Sequence, residues 1–186
     1  MRILCFGDSN TYGYDPRSFF GDRYGAADRW VDLLAKQTGW AVINAGENGR
    51  SIPRTPYFPA DAEHAWDMLL VMLGTNDLLQ GASAAEAAAR MKGFLHSLLP
   101  CPKQILLISP PPMKRGAWVP SERLVSESIQ LAKAYRVLAE ELDVSFLDTS
   151  DWNIDLAFDG VHFTEAGHHA FADRLAKAIE KIPELT

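Results

Sequence analysis

Five short apolar runs punctuate the chain: residues 3–6, 41–44, 68–73, 105–108 and 144–147. All but the last are continuous rather than alternating, which is the pattern of strands covered on both faces. Helical spacing fills the intervals. Val31, Leu33 and Leu34 lie in an amphipathic stretch that stops near Gly39. Ser83-Ala84-Ala85-Glu86 has the form of a capping box and opens an alanine-rich stretch reaching Leu99. Leu124, Leu131, Tyr135, Leu138 and Leu142 recur on one face of a long helix. Thr164 is placed to cap a last helix ending near Lys181, just before Pro183.

Strands that alternate with helices predict parallel pairing through crossover connections. The expected fold is α/β: a three-layer α/β/α sandwich with a five-stranded parallel sheet, of the flavodoxin-like kind. Neither an internal repeat nor a linker is visible, so residues 1–186 read as a single domain. The proline-rich stretches at 53–59 and 110–120 read as ordered loops.

Composition narrows the function classes. The 186 residues are 47% hydrophobic and 23% charged, enough to bury a core without disulfides or metal. Eighteen basic and 24 acidic residues leave a net charge of −6 with no basic block, which argues against nucleic acid as a partner. Two cysteines, Cys5 and Cys101, make no disulfide framework and read as reduced, inert thiols. No apolar stretch approaches the ~20 residues of a membrane span. The apolar N-terminus is too short for a signal's hydrophobic region. These features predict a soluble cytoplasmic protein with no membrane insertion, and leave a homo-oligomer open.

The strand assignment also places the polar segments. Gly7-Asp8-Ser9-Asn10 follows the first run, Ala45-Gly46-Glu47-Asn48-Gly49 the second and Gly74-Thr75-Asn76-Asp77 the third. The fifth leads on to Asp159-Gly160-Val161-His162. The C-terminal ends of parallel strands share one rim, where ligands bind in such folds. Four segments far apart in sequence are therefore expected to converge.

Their chemistry is complementary. Ser9 is a candidate nucleophile, His162 a base for its proton, and Asp159 a carboxylate to hold the imidazole. The Ser9 N–H, the Gly46 N–H and the Asn76 side chain are three candidate donors to an oxyanion. Taken singly, each segment is equally a turn, since Gly, Asp, Ser and Asn are the usual turn formers. Only their conjunction points to acyl transfer.

Those four segments resemble the motifs of the SGNH hydrolases, the GDSL esterases and lipases, across nearly the whole chain. Gly7-Asp8-Ser9 is similar to the first block with Ser9 as nucleophile, and Gly46 to the oxyanion glycine of the second. Asn76 is similar to the oxyanion asparagine of the third, and Asp159-Gly160-Val161-His162 to the Asp-x-x-His block. The stretches 2–13 and 72–77 are also similar to bacterial arylesterases of short acyl preference. The resemblance implies ester hydrolysis by a serine, an acyl-enzyme, a small-molecule ester as partner and no cofactor. Asn10 departs from it, because the family carries an aliphatic residue after the nucleophile. Asn10 is therefore expected to make the pocket more polar and to bear on specificity.

Asp8 is expected to support the nucleophile loop by accepting backbone N–H bonds, and Asp77 to act as a turn or capping residue. Asp148, Asp151 and Asp155 lack chelating spacing. His162, Glu165 and His168 or His169 have a spacing that could hold a metal, but a solvated helix face is preferred for the last two, so no metal site is expected. Rim candidates for substrate contact are Tyr12, Tyr14, Phe19, Phe20, Tyr24, Tyr57, Phe58, Trp118 and Trp152, with a small loop core or a subunit contact as the alternative. Arg50, Arg54 and Arg115 are either contacts for an anionic substrate or solvated loop residues. A lysophospholipase- or thioesterase-type acyl hydrolase is the neighbouring reading. A non-catalytic flavodoxin-like binding module is the reading from another class.

Overall fold

The computed structural model describes residues 1–18, 20–54, 66–98 and 104–182. Among them are the strands β1 (Arg2–Gly7), β2 (Ala41–Gly46), β3 (Met68–Met72), β4 (Ile105–Ile108) and β5 (Ser145–Leu147). They form one sheet in the order β2-β1-β3-β4-β5, and every pairing is parallel. The helices are α1 (Ser9–Tyr12), α2 (Trp30–Thr38), α3 (Thr75–Leu79), α4 (Ala84–Leu98), α5 (Glu122–Leu142) and α6 (Glu165–Ile179). The α/β architecture with a five-stranded parallel sheet agrees with the expectation.

Side chains along the central strands alternate between two cores, as the pleat requires. Leu4, Phe6, Leu69, Val71, Ile105 and Leu107 face a layer built from α4 and α5. Ile3, Cys5, Met68, Leu70, Met72, Leu106 and Ile108 face Trp30, Phe171 and Leu175 of α2 and α6. Both faces are covered, so β1 and β3 read as continuous apolar runs. The outer strands β2 and β5 are only half-buried, and Ile43 of β2 is 41% exposed.

The expected helix ends are present. Glu86 accepts from the Ser83 N–H at 2.8 Å and Ser83 Oγ accepts from the Glu86 N–H at 3.2 Å, a reciprocal capping box. Thr164 Oγ1 accepts from the Gly167 N–H at 3.0 Å. Two short helices, α1 and α3, take the place of what read as polar turns. Each starts within three residues of a strand end and is too short to carry a hydrophobic period.

The strand order reverses between β1 and β3, because β1 connects outward to β2 while β3 continues in the other direction. In parallel sheets the crevice at such a reversal, beyond the carboxyl ends, is where ligands sit. Here α1 stands at the end of β1 and α3 at the end of β3.

Candidate active site

The β1–α1 corner is made by three residues with distinct tasks. Gly7 has no room for a side chain, since a Cβ there would lie 2.0 Å from Thr11 Oγ1 and 2.9 Å from the Met72 carbonyl. Its absence lets α1 fold back onto the strand end. Asp8 caps the helix: its Oδ1 accepts from the Asn10 N–H at 3.0 Å. Ser9 is the first helical residue and is 6% exposed. Its N–H has no acceptor among the described residues. Burial pushes the Asp8 carboxyl up to about 6, against the Asn10 N–H, His162, Thr75 and Arg50, which all pull it down.

The segment after β5 brings Asp159 and His162 to the same corner. Asp159 Oδ1 accepts from the Val161 and His162 N–H groups at 2.9 and 3.0 Å. Its Oδ2 lies 2.6 Å from His162 Nδ1. On the far side of the ring, His162 Nε2 lies 2.9 Å from Ser9 Oγ. A carboxylate at Nδ1 holds the imidazole proton there, which leaves Nε2 to accept from the serine hydroxyl. Burial raises Asp159, but the hydrogen bonds from His162 and Val161 outweigh it and hold the carboxyl below its ordinary value. Asp159 and His162 are both almost fully buried.

The proline-rich loop braces this segment. Lys114 N–H donates to the Gly160 carbonyl at 3.0 Å, Ala117 N–H to Phe158 at 3.1 Å and Trp118 N–H to Asp159 at 3.0 Å. These bonds hold Trp118 edge-on to the His162 ring at 5.0 Å, while Tyr14 lies against the ring at 4.6 Å. Two of the expected rim aromatics thus flank the imidazole. Tyr24 instead packs against His168, Tyr12 lies under Arg23, Phe20 is 90% exposed, and Trp152 packs on Phe171 in the second core rather than at the rim. Phe19, Tyr57, Phe58 and Cys101 lie outside the described residues.

At the end of β3, Asn76 Nδ2 donates to the Arg50 carbonyl at 3.0 Å. That bond uses one of its two N–H groups and aims the other. Arg50 is itself anchored: Nη1 donates to the Gly7 carbonyl at 3.0 Å and to the Ala45 carbonyl, and the guanidinium lies 4.2 Å over the Phe6 ring. Its side chain is only 13% exposed, so it is neither a solvated loop arginine nor a free anion contact. Arg115 pairs with Glu122 at 3.2 Å. Asp77 is not a cap. It is buried within α3, accepts from the Ile52 N–H at 2.9 Å and pairs with Arg90 at 2.8 Å.

Gly46 differs from its expected role. Its N–H donates to Asn44 Oδ1 at 2.9 Å and is not free to bind an oxyanion. It is glycine because a Cβ would lie 2.1 Å from the Tyr12 N, where α1 crosses β2. The backbone beside Asn76 is that of the following turn, in which the Arg50 N–H donates to the Glu47 carbonyl at 3.3 Å and Gly49 has φ +74°.

Asn10 does not polarise an open pocket. It is 5% exposed, and its side chain bonds the Val161 carbonyl and the Phe163 N–H. His168 is fully buried rather than on a solvated face, and burial pushes it down to about 3. Its Nδ1 accepts from the Trp30 N–H at 3.4 Å. His169 is exposed and bonds Asp28 at 3.1 Å. Asp148 pairs with Arg136, and Asp155 accepts from the Thr164 hydroxyl. Among the described residues, no cluster of His, Cys, Asp and Glu is placed to hold a metal ion, and no helix is long and apolar enough to cross a membrane.

A hydroxyl bonded to an imidazole, which is bonded in turn to a buried carboxylate, is the arrangement that activates serine in acyl transfer. Known esterases share this fold. The chain superimposes on the M. smegmatis aryl esterase with a TM-score of 0.83 at 28% identity, covering 97% of this chain and 99% of that one. A carbohydrate acetylesterase family member from Sinorhizobium meliloti gives a TM-score of 0.81 at 29% identity, with 97% and 98% covered. No curated protein matches it in sequence. The profile of the GDSL-like lipase/acylhydrolase family matches residues 5–170, which is most of the chain. The protein belongs to that family and is a carboxylic ester hydrolase.

Proposed function

We propose that it is a serine esterase acting on short-acyl, above all acetyl, esters of small alcohols, aryl groups or carbohydrates. The observation that carries this reading is the unbroken chain from Ser9 Oγ to His162 Nε2 at 2.9 Å and from His162 Nδ1 to Asp159 at 2.6 Å. His162 takes the Ser9 proton as Ser9 attacks the ester carbonyl. The Ser9 N–H and the free Asn76 N–H bind the developing oxyanion, with any further donor coming from the Glu47–Arg50 turn. Asp159 stays ionised and stabilises the imidazolium. His162 returns the proton to the leaving alcohol, and a water activated by the same nitrogen then releases the acid.

Support for small substrates comes from the Tyr14 and Trp118 rings, which crowd the base from two sides. A hollow lined by Arg17, Tyr24, Asp155, Phe158 and Glu165 adjoins the Asp159–His162 segment. The names of the two structural neighbours agree with aryl and acetylated carbohydrate esters.

Ser9→Ala tests the assignment. The variant is expected to lose turnover of 4-nitrophenyl acetate and covalent labelling by a serine-directed phosphonate, with an unchanged circular dichroism spectrum. Retained hydrolysis would show that the nucleophile lies elsewhere.

A further inference from the structure

The structure assigns Asn10 as a positioning residue, a two-point bracket that holds the base against the nucleophile; the assignment rests on the esterase reading of Ser9 and His162. The Asn10 Nδ2 donates to the Val161 carbonyl at 3.1 Å, and its Oδ1 accepts from the Phe163 N–H at 2.9 Å. Those two backbone groups stand on either side of His162. Asn10 is the neighbour of Ser9 in α1, and its own carbonyl accepts the Trp30 indole N–H at 2.9 Å. One residue therefore joins the nucleophile's helix to both flanks of the base, and α2 ties that residue to the core.

The other bonds around the base do a different job. Among the described residues the Asp159 side chain reaches only those two and three positions ahead in its own segment, so it orients the imidazole within that segment. Those bonds leave the distance of the segment from Ser9 undetermined. Ser9 and His162 are 153 positions apart, and the Asn10 bonds bridge separations of 151 and 153. They thus fix nucleophile and base relative to each other, with a further side-chain bond to the same flank from the Tyr24 hydroxyl to the Phe163 carbonyl at 3.4 Å.

The flanking groups need one donor and one acceptor. A carboxamide presents one of each. An ionised carboxylate would keep the bond from Phe163 but turn a lone pair toward the Val161 carbonyl. An aliphatic residue would leave both groups unpaired in a buried position. The asparagine that departs from the family pattern is matched to this backbone, and at 5% exposure it has little surface to offer a substrate.

Asn10→Leu keeps the bulk and removes both bonds. Misplaced reacting groups cost up to about 10²-fold in rate, so kcat is expected to fall by a factor of that order with KM unchanged. The factor is expected to be the same for the 4-nitrophenyl acetate, butyrate and hexanoate. Asn10→Asp is expected to fall in the same direction. A second readout needs no variant: in the wild type, the Asn10 side-chain amide protons are expected to exchange slowly with solvent by NMR. Wild-type kcat in Asn10→Leu would overturn the assignment. So would a KM change graded with acyl length, which would make Asn10 a pocket wall. Fast exchange of the Asn10 amide in the folded wild type would also overturn it, even if both variants failed to fold. A wild type that hydrolyses no ester would instead sink the esterase reading, and the exchange measurement would still decide whether the bracket exists.

Discussion

Only 2% exposed, Asp8 has its carboxyl pushed up to about 6 by burial and takes a proton in the folded protein more readily than in the unfolded chain, where the ordinary value is 3.8. The folded state holds the extra proton between those two values. The corresponding stability is present below the lower value and is lost as pH rises through the upper one. Asp8→Asn keeps an acceptor for the Asn10 N–H and removes the charge. The stability of the variant relative to wild type, from urea titrations, is expected to rise from about pH 4 to pH 6 and then level off. A difference independent of pH would show that Asp8 is ionised as easily in the fold as outside it. His168 has the opposite sign. Burial pushes it down to about 3 from 6.5, so its contribution is complete above the higher value and is lost as pH falls. Neither burial was legible in the sequence. His168 sits beside the exposed His169, and only the packing of Tyr24 and Phe163 around it separates the two. Asn10 was visible as an odd letter, but its bonds lie more than 150 positions away, so its task was not.

At the scale of elements, the carboxyl ends of β1, β2 and β3 are held together by one residue. Arg50 donates to Gly7 of β1 and Ala45 of β2, and its carbonyl aims Asn76 at the start of α3. Arg50→Met keeps an unbranched side chain but removes the guanidinium over Phe6 and leaves the strand-end carbonyls without this donor. Turnover is expected to fall with KM little changed, and the thermal midpoint to fall by a few degrees, since a lost hydrogen bond to a charged group costs about 1.5–3 kcal/mol. Arg50→Lys is expected to recover only part of the loss, because an ammonium cannot reproduce the fork. Unchanged turnover in the methionine variant would show that Asn76 is placed by other contacts. The strands were legible as continuous apolar runs, and the long helices because an apolar period of about 3.6 extends over enough residues. The helices α1 and α3 were not: four or five residues at a strand end hold no period, and their polar letters spell a turn equally well. Gly46 misled for a related reason. Its position beside the site was readable, but the Asn44 side chain that occupies its N–H was not.

For the molecule as a whole, alternate side chains of the same strands serve both cores, so neither layer can lose its packing without exposing the sheet to the other. Residues 1–186 are therefore expected to melt as one unit. Scanning calorimetry should give equal calorimetric and van't Hoff enthalpies, and two resolved peaks would show separable parts. The fold was the most legible level, because strand–helix alternation and right-handed crossovers leave few ways to arrange five parallel strands. The order of the site along the chain has a consequence for biosynthesis. The proposed nucleophile leaves the ribosome 153 residues ahead of the base that must meet it. A partly made chain carries the serine without its partner. Ester cleavage by the nascent protein would thus begin only once the last strand and the segment beyond it had been delivered, and its onset would time the completion of the fold.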